Sequence, residues 1–277
     1  MHSTVSDVTV ADVTAAVERL WPIGGAEPWD ASGLLAGDPA AAVSHVHLAV
    51  DAVLDTADEA IALGAEMLLV HHPLLLRGVT TVAEDRFTGA VLARLIRAGS
   101  ALLAVHTNAD VVETGTSAVL AEKLGLLDAS PIVPGANPAR GIGRAGRLAA
   151  PTTLGRFART LAELLPATAS GIRVSGEYDR SVNTIAVCGG AGDSYLDEPA
   201  VLAADVYVTS DLRHHPASAF RENARLAGGP ALIDVSHWAS EWLWLDTAAA
   251  ELRETLPGVT VTVSELRTDP WDFTVVQ

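Results

Sequence analysis

The feature that most constrains this chain is a strand–helix–strand unit that ends on polar residues. The segment HLAVDAVLDTADEAIALGAEMLLVHHPLL passes from a short apolar run through an Ala/Leu/Glu stretch to a second apolar run, which stops at His71 and His72. Short β-branched runs alternating with helical stretches belong to α/β proteins with a largely parallel sheet. The pattern predicts strands in HVHLAVD, AEMLLV and ALLAVH and helices over 52–63, 87–98 and 115–125. A first helix is signalled by TVADVTAAVERLWP, where Thr9 caps, Asp12 suits the first turn and Pro22 follows the end.

Residues 128–150, beginning DASPIVPGANPARGIGRAGRL, concentrate Pro, Gly and Arg and predict a lobe boundary. TLGRFARTLAELLP then reads as a helix and IRVSG as a strand, and alternation resumes at VNTIAVCGG. There, IAVCGGAGDSYLDEPAVLAADVYVTSDLRHHPA repeats the strand–helix–strand–His-His order of the first half. The expected architecture is two related α/β lobes with mainly parallel strands and a metal cleft at the strand carboxyl ends between them. Residues 1–127 would form the first lobe and 128–229 the second, with 230–277 returning to the first lobe and completing the site.

Composition narrows the function. Apolar residues make up 49% of the 277 and charged ones 19%, which describes a folded globular chain. Lys and Arg number 18 against 34 Asp and Glu, a formal charge of −16, and the basic residues are scattered Arg rather than a stripe. Nucleic-acid binding is therefore disfavoured. Cys188 is the single cysteine, so an intramolecular disulfide or a thiolate zinc cluster is excluded, and any metal must be held by His and carboxylates. The amino terminus lacks a basic stretch followed by an apolar one, and no run approaches the ~18 apolar residues of a membrane span. The expectation is a cytoplasmic protein with no membrane partner.

Ligands of open α/β sheets bind beyond the carboxyl ends of the strands, and the polar clusters fall there. AEMLLV ends in His71 and His72, ALLAV in His106 through Asp110, DVYV in Thr209 through His215, and ALIDV in Ser236 through Glu241. If HWASE begins a helix, His237 and Glu241 project from one face toward one cation. Adjacent His71 and His72 would point to opposite sides of an extended strand and so suit two ions better than one. A carboxylate such as Glu241 can bridge two cations. Singly each element is weak, since such pairs also occur on surfaces and HTNAD alone can be an Asx-type turn. Together they suit Zn, Mn or Fe(II), without selecting among them.

Other features carry less. CGGAGDSYL lacks the order and the Lys of a phosphate-binding loop and reads as a tight strand-to-helix turn, with Asp193 and Ser194 at its rim. Trp238, Trp242 and Trp244 read as packing residues, no G-x-S-x-G elbow surrounds Ser100, Ser210 or Ser236, and His45 and His47 are expected on the sheet's surface.

WDASGLLAG, HHPLL, HTNAD, TSDLRHH and SHWASE, in this order over nearly the whole chain, resemble the GTP cyclohydrolase I type 2, or Nif-three-like, family of dinuclear-metal proteins. The resemblance implies that His71 and His237 serve one ion, His72 and Asp110 the other, and that Glu241 bridges them. It implies that His106 and His215 line the same cleft as outer-sphere or acid/base groups, and that the chain forms a homohexameric ring. Ala31 stands where the family usually has Asn, and Ser210 where it has Gly. The chain also lacks the domain that some members insert between the halves.

Two function classes follow. One is a divalent-metal-dependent hydrolase that uses two ions to activate water, with GTP or another nucleotide, or a plainer phosphoester, as substrate. The other is a non-catalytic ring that stores or delivers metal or assembles other proteins.

Overall fold

A computed structural model describes residues 8–276. The chain divides into two compact units, one taking residues up to Ala109 together with Leu245–Thr268, the other Asp110–Trp244 and the residues from Asp269 on.

In the first unit, α1 (Val10–Leu20) starts as its sequence requires. The Thr9 hydroxyl accepts the Asp12 N–H at 3.2 Å while the Asp12 carboxylate accepts the Thr9 N–H at 2.9 Å, a capping box that satisfies two otherwise unpaired donors. Then come β1 (Gly33–Ala36), β2 (His45–Asp51), α2 (Leu54–Ala62), β3 (Met67–His72), α3 (Phe87–Ala98) and β4 (Ala101–Ala104); the chain later returns as α10 (Trp244–Thr255) and β13 (Thr260–Val263). The sheet order is β1-β4-β3-β2-β13, parallel except for β1 against β4. The central strand β3 is covered on both faces, so it reads as a continuous apolar run rather than an alternation. Its Leu68 and Val70 pack with Ala57 and Ala60 of α2 and with Val91 and Leu95 of α3. Each of the Leu and Val side chains contributes about 1.5–3 kcal/mol by leaving water.

His47 departs from expectation. It is buried rather than on the sheet's surface, because β13 covers that edge; Nδ1 lies 2.8 Å from the Thr262 hydroxyl of β13 and Nε2 3.0 Å from Glu59 of α2.

The division falls within α4 (Thr107–Asp110), and the second unit continues with α5 (Thr116–Lys123), β5 (Leu127–Ser130), β6 (Val133–Pro134), β7 (Gly141–Ile142), β8 (Arg144–Thr153), α6 (Leu154–Leu164) and β9 (Arg173–Ser175). These are followed by β10 (Ser181–Ala191), α7 (Pro199–Leu202), β11 (Val206–Ser210), α8 (His214–Ala227), β12 (Ala231–Val235) and α9 (His237–Trp242). The order is β5-β8-β10-β11-β12-β9, with β10, β11 and β12 parallel and the remaining neighbours antiparallel. Each unit thus contains three consecutive parallel strands joined by helices, and the two segments of the sequence repeat fall on them. The second sheet is mixed because antiparallel β5, β8 and β9 flank its parallel strands.

The expected boundaries are corrected. Residues 128–150, expected as a lobe boundary, build β5 through β8 within one unit. Their glycines permit close strand approach: a Cβ at Gly146 would lie 2.9 Å from the Leu127 carbonyl oxygen, and Gly141 adopts φ +150° while donating to the Val111 carbonyl. The division instead falls at Ala109/Asp110. Residues 230–244 stay in the second unit, since β12 pairs in register with β11, and the returning segment is Leu245–Thr268. Among the described residues, no helix is long and apolar enough to cross a membrane.

Candidate functional site

In the first unit the parallel register of β2 and β3 sets Asp51 beside His72, and Asp51 Oδ1 lies 2.7 Å from His72 Nδ1. His71, fully buried, directs Nδ1 to the Val105 carbonyl just past β4, at 2.9 Å. His106, the next residue, directs Nδ1 to Asp30 Oδ1 at 2.8 Å. The ring centroids of His71, His72 and His106 lie 5.0–5.5 Å apart, and one donor atom from each falls within 4.8 Å of the others. The strand alternation therefore does not separate His71 from His72. His72 is the last residue of β3, where its hydrogen bond to Asp51 sets the ring's direction. His106, expected as an outer-sphere or acid/base group, is a third donor in this group.

Asp30 anchors the surrounding loop. Its carboxylate accepts the N–H groups of Ala31 and Thr107 and the hydroxyls of Ser32 (3.0 Å) and Thr107 (2.5 Å) in addition to His106. Burial works against its ionisation, yet the hydrogen bonds from Thr107 and His106 prevail and hold its pKa down at about 2. The HTNAD segment folds as the short helix α4, with Asn108 accepting the His106 N–H at 2.9 Å and donating to the Trp21 carbonyl at 2.7 Å.

In the second unit Ser236 caps α9 by accepting the Ala239 N–H, and its own hydroxyl donates to Asp269 at 2.6 Å. The helix brings His237 Nε2 to 3.1 Å from Glu241 Oε1, as the spacing requires, while His237 Nδ1 sits 2.7 Å from Asp211. Asp211 holds φ +56°, a left-handed conformation that Asp tolerates better than most residues. The backbone of β10 comes close through Gly190, at φ +70°; a Cβ there would lie 2.3 Å from Glu241 Oε1 and 3.3 Å from His237 Nε2. The Gly190 N–H donates to Ser240 Oγ at 2.9 Å, fixing that approach. Burial disfavours the charged form of His237, but Glu241 and Asp211 outweigh it and hold the imidazole well above its ordinary pKa. Asp110 Oδ1 accepts the Thr116 hydroxyl at 2.5 Å. His215 is exposed in the first turn of α8, edge-on to His214 at 5.2 Å, and among the described residues it belongs to no group of metal-capable donors. Nearby Cys188 is buried; burial first, then the charges of Asp110 and Glu241, push its thiol up to about 12.

The donor chemistry fits a divalent cation. Nδ1 of His71 faces a carbonyl, which only accepts, so that nitrogen carries the proton and Nε2 carries the lone pair. His72 and His106 have the same polarity, each with a carboxylate on Nδ1. Imidazoles oriented by carboxylates or carbonyls are the usual form of metal-binding histidine. His237 lies between two carboxylates, Asp211 on Nδ1 and Glu241 on Nε2. In the sequence, Asp30, Asp51 and Asp211 carry one signal, an Asp at a strand end or next to a motif, in WDAS, AVDA and TSDL.

Fold and donor groups together define an α/β protein with histidine and carboxylate clusters able to hold a metal ion. The chain belongs to the Duf34/NIF3 (NGG1p interacting factor 3) family, whose sequence profile matches residues 8–270. It is 45% identical to a Streptomyces coelicolor protein named GTP cyclohydrolase 1 type 2 homolog, over 95% of this chain and 93% of that one. A Mycobacterium tuberculosis protein of the same name is 34% identical over 96% of this chain and 97% of its own. That alignment runs over 374 residues against the 277 here, so the relative carries sequence that this chain lacks. The fold matches the crystal structure of a Staphylococcus aureus hypothetical protein with TM-score 0.88 at 27% identity, covering 97% of this chain and all of that one. It also matches a Bacillus cereus protein related to NIF3, likewise with TM-score 0.88 and the same coverage, at 23% identity.

Proposed function

We propose that this protein is a divalent-metal-dependent hydrolase acting on a nucleotide, with two ions held by His71, His72, Asp110, His237 and Glu241. The observation that carries the reading is the set of Nδ1 contacts, His71 to Val105, His72 to Asp51 and His237 to Asp211, which hold the rings as metal-binding histidines are usually held. Bound divalent ions would supply Lewis acidity and lower the pKa of water toward neutrality. The chain's own part is to fix the donor rings and to keep Glu241 against the Gly190 backbone. As a proton relay, His106 has an orienting partner in Asp30, whereas His215 rests on the family resemblance alone.

The nucleotide is supported by the relatives' name, GTP cyclohydrolase 1 type 2 homolog, and a homohexameric ring by the resemblance; native mass measurement tests the ring. The buried free cysteine supports a reducing compartment such as the cytoplasm. One observation favours the second reading, a metal-holding protein without catalysis: His106 joins His71 and His72, and a site closed by protein donors is structural rather than catalytic. Assay of GTP and simple phosphoesters with metal-loaded and chelated protein separates the two. Glu241→Ala should lose metal and hydrolysis together; full hydrolysis by a metal-free Glu241→Ala chain would overturn the mechanism.

A further inference from the structure

Trp29 is 59% exposed, although an indole usually contributes most to a fold when buried. Its loop is nevertheless firmly held. The Asp30 N–H bonds the Glu27 carbonyl at 3.0 Å, the Glu27 N–H bonds the Thr107 hydroxyl at 2.9 Å, and the Asp30 carboxylate collects the bonds from Ala31, Ser32, Thr107 and His106 described above. The anchored backbone therefore presents a large aromatic surface that is accessible. It also stands against the donor group: the Trp29 and His106 rings meet edge-on at 75°, with centroids 5.8 Å apart. A pre-positioned aromatic surface lowers the ordering cost of binding a planar ring, and base-on-indole stacking is tolerant of base identity because every base has a π face.

We infer that Trp29 is the stacking surface for the substrate's heterocyclic base, and so a specificity-determining residue that selects a substrate with a planar base over a plain phosphoester. The ligand class rests on the nucleotide reading above; the placement of Trp29 does not. Asp30 gives one carboxylate to both tasks, orienting His106 and fixing the loop that carries the indole.

Equilibrium dialysis with guanosine tests this, with inorganic triphosphate as the probe lacking a base, on wild type, Trp29→Phe and Trp29→Ala. Metal content, thermal midpoint and native mass are measured on each. Wild type should bind guanosine, Trp29→Phe within about threefold of it and Trp29→Ala about tenfold or more weakly, with triphosphate binding, metal content, midpoint and mass unchanged. Equal guanosine binding by wild type and Trp29→Ala would overturn the inference. So would a metal-loaded wild type that binds triphosphate but not guanosine, an outcome that leaves the hydrolase reading standing for other phosphoesters. A change of native mass in Trp29→Ala with guanosine binding intact would make Trp29 an interface residue and also overturn it. Wild type that binds guanosine through Trp29 but holds no metal would sink the hydrolase reading and leave this inference in place.

Discussion

Gly190→Ala tests the architecture of the second donor group with one methyl. Gly190 holds φ +70°, which costs an L-residue about 1–2 kcal/mol. The added Cβ would fall 2.3 Å from Glu241 Oε1, so the carboxylate must retreat by about 1 Å to restore ordinary contact. Glu241 is buried and 3.1 Å from His237, so retreat breaks that contact, and overpacking of this kind costs about 1–3 kcal/mol. Gly228→Ala is the control: its φ is +78° with nothing within 4 Å, so it carries the conformational cost alone. At about 2–4 °C per kcal/mol, Gly228→Ala should lower the midpoint by about 2–8 °C and Gly190→Ala by about 4–20 °C. Metal titration separates them further: Gly228→Ala binds as wild type does, and Gly190→Ala at least about tenfold more weakly, as with other displaced ligands. Thermal unfolding followed by circular dichroism, with metal analysis of the same samples, reads both. If Gly190→Ala matches Gly228→Ala in midpoint and in metal binding, the backbone does not cradle Glu241 as reasoned.

Other perturbations follow from the same contacts. Asp51→Asn and Asp211→Asn, which alter the Nδ1 partners of His72 and His237, should each weaken divalent-metal affinity by about 10–100-fold in competition titrations; unchanged affinity would refute the orienting role. Burial works against ionisation of Asp205, but the N–H groups of Asn183 and Thr184, the Thr184 hydroxyl and Arg180 prevail and hold its carboxyl below the ordinary 3.8. A pKa lowered by folding contributes stability above about pH 3.8 that is lost as pH falls through the lower folded value. Asp205→Asn should therefore be less stable than wild type at pH 5 and converge with it in acid; a constant gap in denaturant midpoint from pH 2 to 5 would contradict that assignment.

Much of this was legible where one local rule decides the outcome. Thr9 and Asp12 fix the start of α1, the apolar run of β3 requires cover on both faces, and the His237–Glu241 spacing becomes a contact once Ser236 caps α9. What escaped depends on register and distant pairing. Asp51 reaches His72 only because β2 and β3 pair in parallel at that offset, and Asp30 reaches His106 across many residues of chain. His47 looked like a surface residue because nothing local reveals that β13 returns to cover the β2 edge. Residues 128–150 looked like a lobe boundary because glycine marks loops and close strand approach alike, and the sequence does not distinguish them.

Metal content per chain, measured by elemental analysis on protein purified without an affinity tag, tests the central claim most directly. Wild type should carry about two divalent ions per chain, as the proposed two-ion centre requires, and Glu241→Ala should carry little or none. Wild type that stays metal-free after incubation with Zn, Mn or Fe(II) would contradict the claim and reduce the strand-end histidines to a structural hydrogen-bond network.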